Sequence, residues 1–382
     1  MTKKPSPDIR MIARLIPPSG NLVQGQSEVP LHPNLASSLN DVVAEGLNHY
    51  SFFEGVAPLR TVVAQKIARF NNIEVDPERK PYEILITPGA TGALVSIAHT
   101  YLKGSTTILF EPYYPYHKKI IETCGGAVEI VPLHGEDLAL DVDDLRARCR
   151  VGKEKGDLKS ILLCTPTNPT GKVFSQAELE AIADCCKEFD LLCISDEVYE
   201  HFVISEGDHI SIGSLPDMHS RTITCNSFSK SWAISGWRLG YVYGAGELVG
   251  PLHAAGNIFY VCTPTPQQHA LSRVLMSDEN YYHELRRNYS SKRSILASSL
   301  GEAGFEIYAS KSTFYMWAKI PNRFATAEEL NNFLIEKAQV AGVPGNAFSD
   351  SSEGEKYMRF CFAREDEMLQ RAASSIAEAL RK

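Results

Sequence analysis

The sequence predicts an α/β protein: a large domain with a mostly parallel, seven-stranded sheet covered by helices, plus a smaller α+β domain built from the N-terminal arm and the C-terminal segment. Three observations predict it. From residue 83 onward, short continuous apolar runs alternate with amphipathic helical patterns, as parallel strands buried on both faces require. The residues that follow those runs are Gly, Pro, Asn, Asp and Lys, at the strand ends where such sheets hold ligands. Beyond residue 300 the pattern changes to three strands and two helices, reached through a long charged helix.

Residues 1–33 are rich in Pro, Ser and Gly and carry little periodicity. They read either as a disordered arm or as an ordered strap over a site, because Leu22 and Val23 stand beside Gly25, where a backbone can approach a ligand closely. Asn34 to Gly46 is a helix with Leu35, Leu39, Val42 and Val43 as its apolar positions. His49 to Arg60 is aromatic and turn-like, and Pro58 starts a helix that runs to about Asn71. Core packing is the expectation for Phe52 and Phe53.

The expected strands are Glu83–Thr87, Thr106–Glu111, Ala127–Pro132, Lys159–Cys164, Leu191–Ser195, Arg221–Cys225 and Gly240–Tyr243. Helices are expected at Ala90–Tyr101, Tyr116–Cys124, Val142–Arg150 and Gln176–Phe189, with a Ser175/Glu178 capping box before the last. Further helices run from about Leu248 to Met276 and from Asp278 to Leu300. The smaller unit has strands Phe305–Ala309, Phe314–Lys319 and Lys356–Phe362 and helices Thr326–Ala341 and Glu365–Arg381. Linkers are expected at 17–33 and 345–355. The chain divides into an arm (1–45), a large domain (46–275) and an interdomain helix with the small C-terminal domain (276–382).

Chemistry-bearing residues follow the strands in turn. Gly89-Ala90-Thr91 opens a helix whose free N–H groups suit an anion. Tyr113-Tyr114 ends the second strand, where an aromatic can stack on a flat ring, although core tyrosines are the plain alternative. Thr165-Pro166-Thr167-Asn168-Pro169 holds an extended backbone and presents Asn168 as a donor. Asp196, at the end of a buried strand, needs a cationic partner such as a protonated pyridine nitrogen; Glu197 is the other candidate for the buried acid. Tyr199 stands three positions on. Gly244 to Gly250 is a near miss for a dinucleotide fingerprint and reads as a helix start. Arg359 lies in an apolar strand, so it either binds a carboxylate or sits on an edge pointing to water.

The sixth strand delivers Ser227-Phe228-Ser229-Lys230, with Arg238 eight positions on. A desolvated lysine loses its proton and forms an imine with an aldehyde, while hydroxyls and a guanidinium fork suit a phosphate. Together these point to pyridoxal 5'-phosphate held as a Schiff base.

Composition sets limits. Across 382 residues, 44% are hydrophobic and 22% charged, and the formal net charge of −8 argues against a surface that coats nucleic acid. The nine cysteines include no CxxC pair and read as reduced thiols, so a cytoplasmic location is expected. No signal peptide or membrane span is legible. HExxH, GxSxG and P-loop motifs are absent, and no metal is expected.

In order, the tyrosine pair, Asn168-Pro169-Thr170-Gly171, Asp196-Glu197-Val198-Tyr199, Ser227–Gly240 and Arg359 resemble the fold-type I, class I/II aminotransferases, which use pyridoxal phosphate. The resemblance spans about Asn21 to Lys382. It implies that Lys230 forms the Schiff base and shuttles a proton, that Asp196 pairs with the pyridine nitrogen, and that Asn168 and Tyr199 bind the ring oxygen. It implies Tyr114 stacked on the ring, with Tyr113 as the alternative. Gly89, Ala90, Thr91, Ser227, Ser229 and Arg238 would hold the phosphate, and Tyr50 would reach the cofactor of a neighbouring subunit in a homodimer with shared sites. Arg359, with Asn168 and the Gly25 backbone, would take the substrate carboxylate. The implied reaction is amino transfer between an L-amino acid and a 2-oxo acid. The cluster Leu22, Val23, Tyr50, Phe52, Tyr113 and Tyr116 hints at an apolar or aromatic amino acid.

The same scaffold also resembles C–S β-lyases and enzymes that cyclise or oxidise amino acids, but Ser231–Arg238 is closer to the transaminase subgroup. A non-catalytic sensor domain of a transcription regulator would carry a helix-turn-helix, and only short, unpatterned sequence precedes residue 34. No nucleic-acid or membrane partner is expected.

Overall fold

The computed structural model describes residues 9–204, 207–308 and 311–381. Residues 1–8 of the expected arm, and Ala309 at the end of an expected strand, lie outside the described residues. The large sheet consists of β1 (Ile84–Thr87), β2 (Thr106–Glu111), β3 (Ala127–His134), β4 (Ala139–Leu140), β5 (Leu158–Cys164), β6 (Leu192–Asp196), β7 (Thr222–Ser227) and β8 (Gly240–Gly244). Their order is β1-β8-β7-β6-β5-β2-β3-β4. The sheet therefore has eight strands rather than seven; the extra one, β4, is two residues long, too short to leave a periodicity in the sequence. Pairing is parallel from β7 through β6, β5 and β2 to β3. Strand β8 runs antiparallel to both β1 and β7, and β4 runs antiparallel to β3.

Burial explains the apolar runs. Every residue of β1, β7 and β8 is buried, because helices cover both faces. The consequence for function is alignment. Glu111, Cys164, Asp196 and Ser227 all finish their strands on one side of the sheet. Reversed strand β8 starts on that side, with Gly240 opposite both Ser227 and Thr87. A Cβ on Gly240 would lie 2.6 Å from the Asn226 carbonyl oxygen and 2.7 Å from the Gly89 carbonyl carbon, so only glycine lets the three segments meet.

The smaller sheet contains β9 (Glu306–Tyr308), β10 (Tyr315–Lys319), β11 (Val343–Pro344) and β12 (Tyr357–Cys361), all antiparallel, in the order β11-β12-β10-β9. The helix Tyr281–Glu302 packs against the C-terminal helix Asp366–Arg381 through one apolar cluster that includes Leu296, Leu300, Leu369 and Ile376. The Ser175/Glu178 capping box forms as expected.

Four expectations need correction. The single helix from Leu248 to Met276 is three: Gly246–Val249, Leu252–Tyr260 and Thr265–Ser272. Pro251 and Pro264 each lack the amide that would continue a helix, and Val261 takes a left-handed φ of 57° between them. The expected linker 345–355 is packed: Phe348 is fully buried and the Ser349 hydroxyl donates to Glu111 at 2.7 Å. The expected linker 17–33 carries fully buried Leu22 and Val23, so the ordered-strap reading holds over 20–27. Phe52 is 80% exposed, while Phe53 is buried against the rings of His253 and Tyr260. Among the described residues, no helix is long and apolar enough to cross a membrane.

Candidate active site

A cavity of about 540 Å³ opens at the carboxyl ends of β5, β6 and β7, closed on the far side by the strap and by β10 and β12. That volume suits a cofactor-sized ligand.

The floor comes from β6 and β7. Asp196 lines the cavity, and its carboxylate is held from behind: Oδ2 lies 2.8 Å from Nε2 of buried His117, and Oδ1 accepts the Val198 amide at 3.3 Å. Glu197 points the other way. It bonds to Ser195, His209 and Ser211 inside the protein and does not line the cavity. Of the two acids the sequence offers, Asp196 is therefore the one that faces the site. Strand β7 ends in Ser227, whose hydroxyl caps the one-turn helix Phe228–Ser231 by accepting the Ser229 amide at 3.1 Å. That turn aims Lys230 into the cavity, where Nζ donates to the Gly25 carbonyl at 2.5 Å. Burial pushes the Lys230 ammonium down to about 8, and the neighbouring Arg359 and Arg238 cations push the same way.

One end of the cavity collects donors. Ala90 and Thr91 line it from the start of the helix Gly89–Ile97, beside Ser227, Ser229 and Arg238. Arg238 is anchored by the carbonyls of Ser235 at 2.9 Å and Pro88 at 3.1 Å. Gly89 stands behind it rather than on the wall. Its φ is +70°, and an added Cβ would be 2.6 Å from Arg238 Nη2.

The opposite end holds Arg359, buried in β12. Nη1 donates to Asn168 Oδ1 at 2.9 Å and Nη2 to the Val23 carbonyl at 2.6 Å. The guanidinium lies between the rings of Tyr315 and Phe348, 4.2 and 4.8 Å from their centroids. Its Nε is buried without a partner. The edge-strand alternative for Arg359 is thereby removed. Tyr199 and Tyr315 place their hydroxyls 3.0 Å apart, and burial pushes the Tyr315 phenol up to about 12.

Of the paired tyrosines, Tyr114 lines the cavity; Tyr113 is buried outside it, its amide donating to the Phe348 carbonyl at 3.0 Å. Tyr50 is 86% exposed and lies away from its own chain's cavity. The side-chain cluster expected from the sequence does not assemble: of Leu22, Val23, Tyr50, Phe52, Tyr113 and Tyr116, only Tyr116 is on the wall. Ile9, Ile120 and Leu94 supply apolar surface instead, with Gln24, Gln26 and Lys119 as polar neighbours. Three contributors escaped the sequence reading: His117, Tyr315 and Lys119. A histidine one position after Tyr116, on the helix that follows a strand end, was the available signal for the first.

The arrangement puts three cations (Lys230, Arg238 and Arg359) around one carboxylate, with separate anion-ready groups at the two ends. It fits a phosphorylated pyridine aldehyde. The helix N-terminus and hydroxyls suit the phosphate, Asp196 suits a ring cation, and the orphaned Arg359 Nε is ready for a second anion.

A family model described as "Aminotransferase class I and II" matches residues 19–376. The chain is 32% identical to the aspartate aminotransferase of Pyrococcus abyssi, over 94% of this chain and 90% of that one. It is 31% identical to the aromatic-amino-acid aminotransferase 2 of Thermococcus litoralis, with the same coverage. Among solved structures, the N-succinyldiaminopimelate aminotransferase of Mycobacterium tuberculosis superposes with a TM-score of 0.91 at 30% identity, covering 97% of this chain and 96% of that one.

Proposed function

The chain belongs to the class I and II aminotransferases and is a pyridoxal-phosphate-dependent enzyme, and from that premise we propose that it takes the amino group from an apolar or aromatic L-amino acid to a 2-oxo acid. The carrying observation is Lys230: a lysine desolvated at a strand end, within reach of the strap, and flanked by anion-binding groups at both ends of one cavity.

When bound, pyridoxal phosphate supplies a ring that accepts the electron pair left on the substrate α-carbon. The residues then divide the work. Ser227, Ser229, Arg238 and the backbone at Ala90 and Thr91 would hold the phosphate, with Gly89 turning the chain behind Arg238. Asp196, as a carboxylate, would accept a hydrogen bond from the protonated ring nitrogen and keep the proton there, and His117 keeps that carboxylate facing inward. Asn168 and Tyr199 would donate to the ring oxygen, and Tyr114 would offer its ring as an aromatic wall. Arg359, with Asn168 and the Gly25 backbone, fixes the substrate carboxylate. Lys230 Nζ would hold the aldehyde carbon until the substrate amine takes its place there, and the lysine amine released by that exchange would take the proton from the substrate α-carbon. Its lowered proton affinity leaves it neutral often enough near pH 8 to do so.

An apolar or aromatic side chain is supported by Ile9, Tyr116 and Ile120 in the cavity lining, and by the likeness to an aromatic-amino-acid aminotransferase. A homodimer with shared sites is supported by Tyr50, Phe52, Ile258, Phe259 and Val261, which are all exposed. They cluster on one face, since Phe53 packs on Tyr260 and the Ser51 amide meets Thr265. A cytoplasmic location is supported by nine free thiols.

The test is a scan of amino acids against purified holoenzyme, followed by the visible absorbance of the cofactor. Conversion to the pyridoxamine form should be fastest with aromatic and large aliphatic substrates. Fastest conversion with aspartate sinks the side-chain assignment.

A further inference from the structure

Six consecutive backbone carbonyls in the strap, from Asn21 to Gln26, are all taken by donors from the protein interior. Leu22 accepts from the Cys361 amide at 2.7 Å, Val23 from Arg359 at 2.6 Å and Gly25 from Lys230 at 2.5 Å. The other three belong to one side chain. Arg364 donates Nε to Asn21 at 2.6 Å, Nη2 to Gln24 at 2.7 Å and Nη1 to Gln26 at 2.8 Å. Arg364 is 2% exposed and does not line the cavity.

A guanidinium is a rigid, planar fork with five donors, so three carbonyls gripped by it are fixed relative to one another. Between the gripped positions lie Val23 and Gly25, the two whose carbonyls meet Arg359 and Lys230. On the outer side, Asn21 Oδ1 accepts the Val23 and Gln24 amides at 3.1 and 3.2 Å and closes the bend. Among the described residues, the carboxylate paired with Arg364 is that of Glu28, 3.5 Å away and 41% exposed, so a surface-type ion pair does not explain a buried arginine that spends its donors on main chain.

We infer that Arg364 is a positioning residue for the substrate site: its guanidinium sets the bend of the Asn21–Gln26 strap, and so sets where the Val23 and Gly25 backbone stands against Arg359 and Lys230. This rests on the reading that Arg359 and the strap receive the substrate carboxylate. Lysine cannot replace arginine here, because an ammonium offers a point charge where three separated acceptors need a fork.

The test uses holoenzyme variants Arg364→Lys and Arg364→Met, with kcat and KM for the best amino acid expressed per cofactor-occupied site, counted by visible absorbance. Both variants should raise KM roughly ten- to a hundredfold, with kcat changing less, because the strap is displaced rather than the reacting groups. Arg364→Lys should be no better than Arg364→Met. A lowered melting temperature or fewer occupied sites, with KM unchanged at each occupied site, overturns the inference and leaves Arg364 as a staple of the fold. Arg359→Lys is measured in parallel. If it raises KM while the Arg364 variants do not, the inference alone fails. If it leaves KM unchanged, the carboxylate reading fails and takes the inference with it. Should the Arg364 variants not fold, Asn21→Ala decides, since it loosens the same bend from outside: raised KM supports the inference, unchanged KM overturns it.

Discussion

Nε2 of His117 lies 2.8 Å from Oδ2 of Asp196, and both side chains are buried. A carboxylate gripped on both oxygens cannot rotate away from the cavity. We expect Asp196→Asn to lower kcat/KM by roughly 10²–10³-fold, the usual cost of removing one preorganised electrostatic partner. His117→Phe leaves the charge in place but frees its rotation, so its loss should be smaller. Steady-state kinetics with cofactor in excess separates the two. Equal losses would mean that His117 does more than orient Asp196.

Lys230 gives a pH signature in the apoprotein. Its folded-state proton affinity is lowered to about 8 by burial, against 10.5 in the unfolded chain. Between those values the unfolded chain holds the extra proton, so this group makes stability rise with pH through that window, while below about 8 the cost of burying the charge is fully present. Lys230→Met should therefore be more stable than the parent apoprotein at pH 7, with the gap closing as pH rises toward 10. Denaturant unfolding at pH 7, 8, 9 and 10 checks this. A constant gap would show that the lysine does not titrate as its surroundings demand.

A Cβ on Gly25 would overlap the Tyr315 hydroxyl. Gly25→Ala should cost at least about tenfold in kcat/KM by pushing the strap off the cavity. Adding Tyr315→Phe should recover part of that loss, although Tyr315→Phe alone costs the hydrogen bond to Tyr199, about 1 kcal/mol. A double-mutant cycle with no coupling between the two changes would refute this account of the glycine.

Lys66 and Glu200 form a buried ion pair, with Asn71 and Asn226 bonded to the same carboxylate. Lys66→Met should destabilise by about 3–5 kcal/mol, because it leaves Glu200 charged and unpaired. Burial alone would raise the Glu200 carboxyl, yet Lys66, His201 and His209 hold it at about 2 against an unfolded value of 4.5. Its contribution is thus complete above about pH 4.5 and disappears as pH falls toward 2. Glu200→Gln should flatten the acid limb of the stability profile. An unchanged limb in acid unfolding curves would assign the acid lability to other groups.

Subunit mixing tests the proposed sharing of sites between subunits. Lys230→Ala dimers should be inactive and Tyr50→Ala dimers impaired. A heterodimer of the two carries one site with an intact lysine and an intact tyrosine from its neighbour. Activity in refolded mixtures should exceed the sum of the separate variants. A merely additive result would place Tyr50 outside the neighbour's site.

Much of this was legible because strand ends are conspicuous in sequence. Asp196, Lys230 and Asn168 each stand at or just beyond the end of a short strand-like run, and a polar group there has few places to go. Arg359 could be read only as an anomaly inside an apolar strand; which way it faced depended on its pairing with β10. His117 and Tyr315 were not legible as site residues, because each acts across a long sequence separation on a partner that folding alone brings near. The segment 345–355 misled by composition. Its serines, glycines and acids suggest a solvated linker, yet Ser349 spends its hydroxyl on Glu111, and Gly345 admits the chain where a Cβ would press on the Gly354 carbonyl. Phe52 looked like a core residue for a related reason: an apolar side chain reads the same in sequence whether or not its own chain covers it.

Glu111 closes β2 and takes the Ser349 hydroxyl at 2.7 Å and the Asp350 amide at 2.6 Å, while the Tyr113 amide meets the Phe348 carbonyl beside it. This is a seam stitched from main chain and carboxylate between the large sheet and the loop that feeds β12. It ties Phe348, whose ring lies 4.8 Å from the Arg359 guanidinium, to the end of β2, so that the guanidinium takes its bearing partly from the large sheet.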